Sequence, residues 1–254
     1  NEYELLIQKY NYGVKNDEEY LFNERGTTAL KRIEDYLTEN YVKTDYQEVI
    51  GSNLRNFKDL NELSNAFDHI FKAKTRSYKN LPEFFWLKGC VEKSFSGIEP
   101  LEKSKDQIIY MKQYSNNIAG TLYDLIEGNL SLYKAMKLDV TSEITCNDLT
   151  NINVNQISNI LQRKGISHNK VVTEKINYIQ ILFLLKDKFE RTWKISKIIL
   201  KEEVDLKFMN EKGKYSEIGT VEIIFSITTL MKFILVNNEG IMPKIFSPID
   251  IIFI

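Results

Sequence analysis

The spacing of apolar residues changes once along this chain of 254 residues, close to Arg191. Before that point apolar side chains recur every three or four residues, which is typical of helices with one buried face. After it, residues 193–199 and 204–208 alternate between apolar and polar, which is typical of half-buried strands. The sequence therefore predicts an α+β fold, with a predominantly helical N-terminal body to about residue 190 and a small, mostly antiparallel β-sheet after it.

Individual segments follow from the same two periods and from turn residues. The predicted helices cover residues 28–41, 59–74, 82–87 (with Pro82 in the first turn and Phe84 to Leu87 apolar all round), 104–137 (two or three helices), 148–163 and 170–190. The predicted strands cover residues 193–199, 204–208, 221–227, 231–236 and 249–254. We expect residues 1–145 to form the helical body, and residues 146–254 to form a helical hairpin joined to the small sheet.

Charge and composition limit the possible partners. The chain has 34 Lys and Arg residues against 35 Asp and Glu residues, so its net charge is -1 and no overall basic field attracts polyanions. Any contact with nucleic acid would need a local basic patch. No stretch approaches 18 consecutive apolar residues, so we expect no membrane span. Two cysteines, Cys90 and Cys146, lie outside any zinc spacing and suit reduced thiols in the cytoplasm.

Many kinds of enzyme lack their signature here. With two histidines and two cysteines, the chain offers few metal ligands or nucleophiles. The patterns GxGxxG, GxxxxGK[ST], HExxH and GxSxG are all missing from the sequence. Dinucleotide binding, P-loop hydrolysis, zinc proteolysis and α/β-hydrolase chemistry are therefore without support, and no cofactor is evident. Whether the protein is an enzyme stays open.

The segment around Gly165 resembles a DNA-binding helix-turn-helix. One predicted helix ends at Arg163, Gly165 lies in the turn, and Ser167 is placed to cap a second helix. The candidate nucleic-acid-binding side chains are Lys164, Ser167, Asn169 and Lys170. The alternative is an ordinary helical hairpin with a glycine and a serine at its helix ends.

The same segment also resembles a ribonuclease motif. Arg163 and His168 are separated by four residues, as in the R-x4-6-H motif of the HEPN ribonucleases, which are helical and cut RNA without metal. That resemblance implies acid–base catalysis by His168 and phosphate stabilisation by Arg163.

A third pattern, Asp205-Leu206-Lys207, resembles the second half of the PD-(D/E)xK nuclease motif. Asp205 and Lys207 share one face of a predicted strand, because side chains alternate along strands. The resemblance implies Mg²⁺ held by Asp205 and an upstream acid, for which Asp187 is the candidate, with Lys207 polarising the attacking water or the phosphate. The alternative is an edge strand whose polar face meets solvent.

A basic cluster, Lys72, Lys74, Arg76 and Lys79, is interleaved with Phe71 and Tyr78 and suits a phosphate backbone. A solvated face is the more frequent explanation of such a cluster. Taken together, these patterns predict a nucleic-acid-associated protein that binds DNA through the hairpin. The alternatives are a nuclease of either kind, or a non-enzymatic interaction or effector protein that binds a protein partner or a second copy of itself.

Overall fold

The structure is a computed structural model that describes residues 2–16, 19–42, 45–50, 56–74, 76–93, 95, 97, 105–147, 154–174 and 176–248. In these ranges the helices are α1 (Glu2–Lys9), α2 (Glu24–Tyr41), α3 (Leu60–Lys72), α4 (Leu122–Ala135), α5 (Val154–Arg163) and α6 (Ile227–Asn237). The strands are β1 (Gly13–Asn16), β2 (Glu19–Phe22), β3 (Gln47–Glu48), β4 (Asn56–Phe57), β5 (Glu83–Val91), β6 (Asp106–Ser115), β7 (Val140–Cys146), β8 (His168–Val172), β9 (Ile179–Lys186), β10 (Thr192–Met209) and β11 (Tyr215–Ser226).

Nine of the described strands form one mixed sheet. Its order is β3-β5-β6-β11-β10-β9-β7-β8, and β4 also pairs with β5. The pairs β3/β5, β4/β5 and β7/β8 are parallel, and the other pairs are antiparallel. Strands from both sides of residue 145 therefore lie in the same sheet. The strands β1 and β2 form a separate hairpin.

The two faces of the sheet are covered by different helices, because successive strand residues point to opposite sides. One face carries Met111 and Ile223 and packs in a core that also contains buried residues of α2, α4, α5 and α6. The other face carries Tyr110 and Ile224 and packs against α3, whose buried residues are Leu63, Ser64, Phe67 and Phe71.

Local capping fixes where the main helices begin. The Asp59 carboxylate accepts hydrogen bonds from the backbone N–H groups of Asn61 at 2.9 Å and Glu62 at 3.0 Å, which starts α3. Asn23 caps α2 in the same way, since its side chain accepts from the N–H of Gly26 at 3.1 Å. None of the helices in the described ranges is both long and apolar enough to cross a membrane.

The predicted fold class is wrong. The part of the chain before residue 190 is not a helical body, because it supplies β5, β6, β7, β8 and β9 to the large sheet. Residues 84–87, predicted as helix, belong to β5, and the predicted helix over residues 170–190 is replaced by β8 and β9. Residues 104–137 contain β6 and a single α-helix, α4. A short run that is apolar on every side fits a buried strand as well as a buried helix, and here tertiary packing selects the strand.

Other predicted segments have mixed outcomes. Helices over residues 28–41 and 59–74 are confirmed by α2 and α3, and the strands at 193–199 and 204–208 are confirmed by β10. Residues 231–236, predicted as a strand, belong to α6. The predicted strand over residues 249–254 lies outside the described residues.

Candidate functional site: two lysine-lined clefts

The helix-turn-helix prediction is wrong, because the segment after Gly165 is a strand. Helix α5 ends at Arg163 as expected, but His168 begins β8, which pairs in parallel with β7. The backbone N–H of Ser142 donates to the carbonyl of Ser167 at 2.9 Å, which extends this pairing backwards. Since β8 ends in the β-branched pair Val171 and Val172, its composition also favours a strand. Asn169 and Lys170 are exposed on this strand.

His168 contacts both α5 and the turn before β8. Its Nδ1 lies 3.2 Å from the carbonyl oxygen of Ile166, and its Nε2 contacts the hydroxyl of Ser158. Because a carbonyl only accepts, Nδ1–H is the donor and Nε2 accepts from Ser158. The ring therefore ties β8 to α5. Arg163 is the exposed last residue of α5.

Asp187 and Asp205, the two residues predicted to bind a metal ion, do not lie together in the structure either. Asp205 and Lys207 are exposed on the far part of β10, where Lys207 is opposite Glu217 of β11. Asp187 lies at the turn before β10, at the opposite end of that strand. In the ranges that the structure describes, no group of three or more His, Cys, Asp and Glu side chains is placed to hold a metal ion.

Asp187 is instead a structural anchor. Its Oδ1 accepts from the backbone N–H groups of Phe189 at 2.8 Å and Arg191 at 3.0 Å. Its Oδ2 accepts from the indole N–H of Trp193 at 2.9 Å and from Arg191 Nε at 2.7 Å. Burial by itself raises the pKa of Asp187, but these hydrogen bonds outweigh it and hold that pKa below the usual range.

The basic cluster after α3 is divided. Lys72 and Lys74 are exposed. Arg76 is buried, with its Nε 2.5 Å from Glu83 Oε2 and its guanidinium 5.3 Å from the centre of the Phe71 ring. Arg76 is therefore engaged by Glu83 and Phe71 inside the protein, whereas Lys72 and Lys74 are exposed to solvent.

A cleft of about 740 Å³ opens where α4 and α5 end, and we call it the helix-end cleft. The cleft is lined in part by three residues that were singled out from the sequence, Lys164, Gly165 and Ser167. The full lining is Glu127, Leu130, Ser131, Lys134, Lys137, Leu138, Asp139, Val140, Lys164, Gly165, Ile166 and Ser167.

Lysines outnumber acids in this cleft, and one lysine is already paired. Lys164 forms an ion pair with Glu127, which raises the pKa of Lys164 and lowers the pKa of Glu127. The ammonium of Lys164 also lies 5.2 Å from the centre of the Tyr123 ring, and Tyr123 is 45% exposed. An exposed aromatic ring beside lysines is a common platform for nucleic acid bases.

A second, smaller cleft of about 260 Å³ lies on the α3 side of the sheet, and we call it the sheet-face cleft. Its lining combines three lysines with two acids, three neutral polar side chains and two apolar ones. It consists of Asp59, Leu60, Asn61, Lys93, Tyr178, Gln180, Lys197, Ile199, Lys201 and Glu222.

Glu222 and Lys201 of the sheet-face cleft belong to a buried network of charged and polar side chains. The Glu222 carboxylate accepts from Lys201 Nζ at 2.8 Å and from the hydroxyl of Ser64 at 2.8 Å, and Lys112 Nζ lies 3.7 Å away. Lys112 donates to Ser64 Oγ at 2.8 Å and to Asp68 Oδ1 at 2.6 Å. The network therefore joins α3 to β6, β10 and β11.

The network also sets the charge of its members. Burial by itself raises the pKa of Glu222, but the ammonium groups of Lys112 and Lys201 outweigh it and hold that pKa below its usual value. Lys197 lies in the cleft wall, 4.8 Å from the centre of the Phe95 ring. Its burial lowers the pKa of the Lys197 ammonium to about 8, although Glu222 opposes the shift.

No residue of the sheet-face cleft was singled out from the sequence. The sequence did contain one indication of a buried charged site there. Glu222 is the only charged residue within the apolar run of residues 221–225. A charge inside such a run indicates a buried partner, because an unpaired buried charge is costly. The sequence pattern does not say which lysine provides that partner.

No known family model matches the chain, and no curated protein matches it in sequence. Solved structures do share its fold. The RNA-binding domain of threonyl-tRNA synthetase from Cryptosporidium parvum superposes with a TM-score of 0.78 and 14% identity, over 98% of this chain and 75% of that chain.

Two prolyl-tRNA synthetases give similar superpositions. The enzyme from Cryptosporidium parvum, in complex with L-proline and AMP, has a TM-score of 0.70 and 13% identity over 97% of this chain and 54% of that chain. The enzyme from Giardia lamblia, in complex with prolyl-adenylate, has a TM-score of 0.70 and 10% identity over 98% of this chain and 55% of that chain. This chain therefore spans little more than half of each prolyl-tRNA synthetase, and at these identities the likeness establishes its fold.

Proposed function

We propose that this protein associates with RNA and acts in a tRNA-related process. The observation that carries the proposal is the superposition of 98% of the chain on the RNA-binding domain of a threonyl-tRNA synthetase. The likeness covers the whole mixed sheet and its helices rather than one small motif. A shared fold does not by itself establish a function. The RNA-binding chemistry is therefore argued from the site residues and tested by experiment.

Two features of the chain indicate how an RNA would be held. The net charge is -1, so long-range attraction contributes little and binding has to come from local lysines. Both clefts supply such lysines, and an exposed tyrosine, Tyr123, adjoins one of them. The earlier interpretation as a DNA-binding helical hairpin has no recognition helix to support it.

We expect the purified protein to bind tRNA more tightly than DNA of the same length. The physical reason is that a folded RNA presents a particular arrangement of phosphates and unstacked bases to the lysines and Tyr123. Fluorescence anisotropy with labelled bulk tRNA, competed by unlabelled tRNA, a duplex DNA and a single-stranded DNA, measures the preference. Repeating the titration at two salt concentrations gives the number of phosphates contacted.

Equal competition by all three nucleic acids would show charge-driven binding alone and remove the tRNA-related proposal. A titration with no binding at low salt would do the same, because electrostatic affinity is greatest there.

A second candidate function, binding of a mononucleotide, is favoured by the sheet-face cleft. Lys93 and Lys197, together with Lys201, which is held by Glu222, line a volume of about 260 Å³. This is slightly below the usual range for ligand pockets of about 300–1,000 Å³. The volume suits a phosphate with part of its nucleoside. One of the prolyl-tRNA synthetases of the same fold was studied with AMP.

If AMP binds in the sheet-face cleft, its affinity should fall about tenfold between pH 7 and pH 9. The pKa of Lys197 is about 8, so this ammonium loses its charge over that interval. The loss of one charged hydrogen bond corresponds to roughly one factor of ten. Isothermal titration with AMP at both pH values measures the change.

Lys197→Met should bind AMP weakly at both pH values, whereas Lys212→Ala, in the exposed turn between β10 and β11, should behave as the unaltered protein. An affinity that does not depend on pH in the unaltered protein would exclude Lys197 from the site.

A further inference from the structure

We propose that the helix-end cleft receives the phosphate backbone of the RNA, with Lys134 and Lys137 as its phosphate-binding side chains. This inference rests on the proposed function and goes beyond it by naming the surface. The cleft, of about 740 Å³, is the larger of the two lysine-lined clefts.

The two helices that meet at this cleft end in the same way. After α4, the backbone N–H of Leu138 donates to the carbonyl of Tyr133 at 2.9 Å, and after α5, the N–H of Ile166 donates to the carbonyl of Leu161 at 2.9 Å. Both bonds are those of a Schellman motif, in which one residue adopts a left-handed backbone. Because the following amides engage these last carbonyls, the helix ends present less partial negative charge to the cleft.

The residue in the left-handed position differs between the two ends. It is Gly165 after α5, with φ +73°, but Lys137 after α4, with φ +56°. Glycine is the usual residue in this position, since a side chain disfavours the conformation. Of the described non-glycine residues with positive φ, Lys137 is the one that lines this cleft. The chain thus has a lysine at a position where glycine would be unstrained, and this lysine lines the cleft.

The charges of the cleft leave two ammonium groups for a ligand. Lys164 is engaged by Glu127. Lys134 and Lys137 are exposed, and neither forms an ion pair within the ranges that the structure describes. Asp139 is the remaining acid of the lining. Two phosphates of an RNA strand therefore have a cation each, and the exposed ring of Tyr123 lies beside Lys164.

The test compares Lys134→Ala/Lys137→Gly with the unaltered protein in the tRNA titration. We expect affinity to fall about tenfold, and the slope of log affinity against log salt to fall by about 1 to 2, because two phosphate contacts are lost. The melting temperature should be unchanged or raised, since glycine relieves the left-handed backbone at position 137. A structural role for Lys137 would instead lower the melting temperature.

Two further variants separate this cleft from charge in general. Lys212→Ala/Lys214→Ala removes the same charge from the exposed turn between β10 and β11, and should leave affinity nearly unchanged. Glu127→Gln releases Lys164 from its ion pair, and should increase affinity about threefold.

If the turn variant weakens binding as much as the cleft variant, or if the cleft variant binds normally, the cleft is not the RNA surface while the tRNA-related function stands. If the unaltered protein binds no tRNA, the proposed function fails and this inference fails with it.

Discussion

Glu222→Ala should lower the free energy of unfolding by about 3 kcal/mol. The Glu222 carboxylate is 2% exposed and lies between Lys112 and Lys201, and the Lys112 side chain is 1% exposed. Removing Glu222 leaves Lys112 inside the protein with Asp68 as its remaining acidic partner. Urea unfolding followed by circular dichroism measures the loss. The loss should shrink below about pH 4, because the pKa of Glu222 is depressed and its contribution disappears as pH falls through that pKa.

A double variant tests whether the charges act as a pair. Lys112→Met and Glu222→Leu should each destabilise the protein, but the double variant Lys112→Met/Glu222→Leu should recover much of the loss, since apolar residues of similar volume can replace a buried ion pair. Phe67 and Tyr110 of the adjoining core would pack around the new side chains. If the two single losses simply add in the double variant, Lys112 and Glu222 do not act as a pair.

Helices with one buried face could be predicted from the sequence. Helix α2 buries Ala29, Leu30, Ile33 and Leu37 and exposes its other side, so its period is visible in the residues themselves. Helix α3 has the same character, with Leu63, Phe67 and Phe71 buried. The capping residue Asp59 adds a clear start signal to α3.

For elements that are buried on all sides, the sequence did not distinguish a helix from a strand. In β6 every residue except Gln107 is buried, and in α6 every residue except Asn237 is buried. Such a run has no polar face, so neither a period of 2 nor a period of 3.6 can appear in it. This accounts for two of the errors of type, the helix predicted at residues 84–87 and the strand predicted at residues 231–236.

The candidate sites were hard to predict for a different reason. Sequence motifs join residues that are close along the chain, whereas the sheet-face cleft joins distant ones. Ser64 and Glu222, for example, form a hydrogen bond across 158 positions. In the helix-end cleft, Lys164, Gly165 and Ser167 belong to one turn and were singled out from the sequence as part of a hairpin. Lys134 and Lys137 come from another helix end, and only the packing of α4 beside α5 brings them to that turn.

Asp187→Ala should lower the free energy of unfolding by about 3 kcal/mol, in the absence of any metal. The substitution leaves the buried indole N–H of Trp193 without its acceptor and releases the turn amides of Phe189 and Arg191. Because the pKa of Asp187 is depressed, its stabilisation is present above about pH 4 and is lost as pH falls through that pKa. Unfolding in urea with EDTA, at pH 7 and at pH 3, measures both effects.

Two comparisons decide whether Asp187 acts through these hydrogen bonds or through a metal shared with Asp205. Asp187→Asn keeps one acceptor oxygen and should lose only about half as much stability as Asp187→Ala. Asp205→Ala should stay within about 0.5 kcal/mol of the unaltered protein, since Asp205 is exposed. A shared metal ligand set would give a different pattern, in which Mg²⁺ stabilises the unaltered protein and both Asp187→Ala and Asp205→Ala abolish that gain. That pattern would overturn the assignment of Asp187 as the anchor of the turn between β9 and β10.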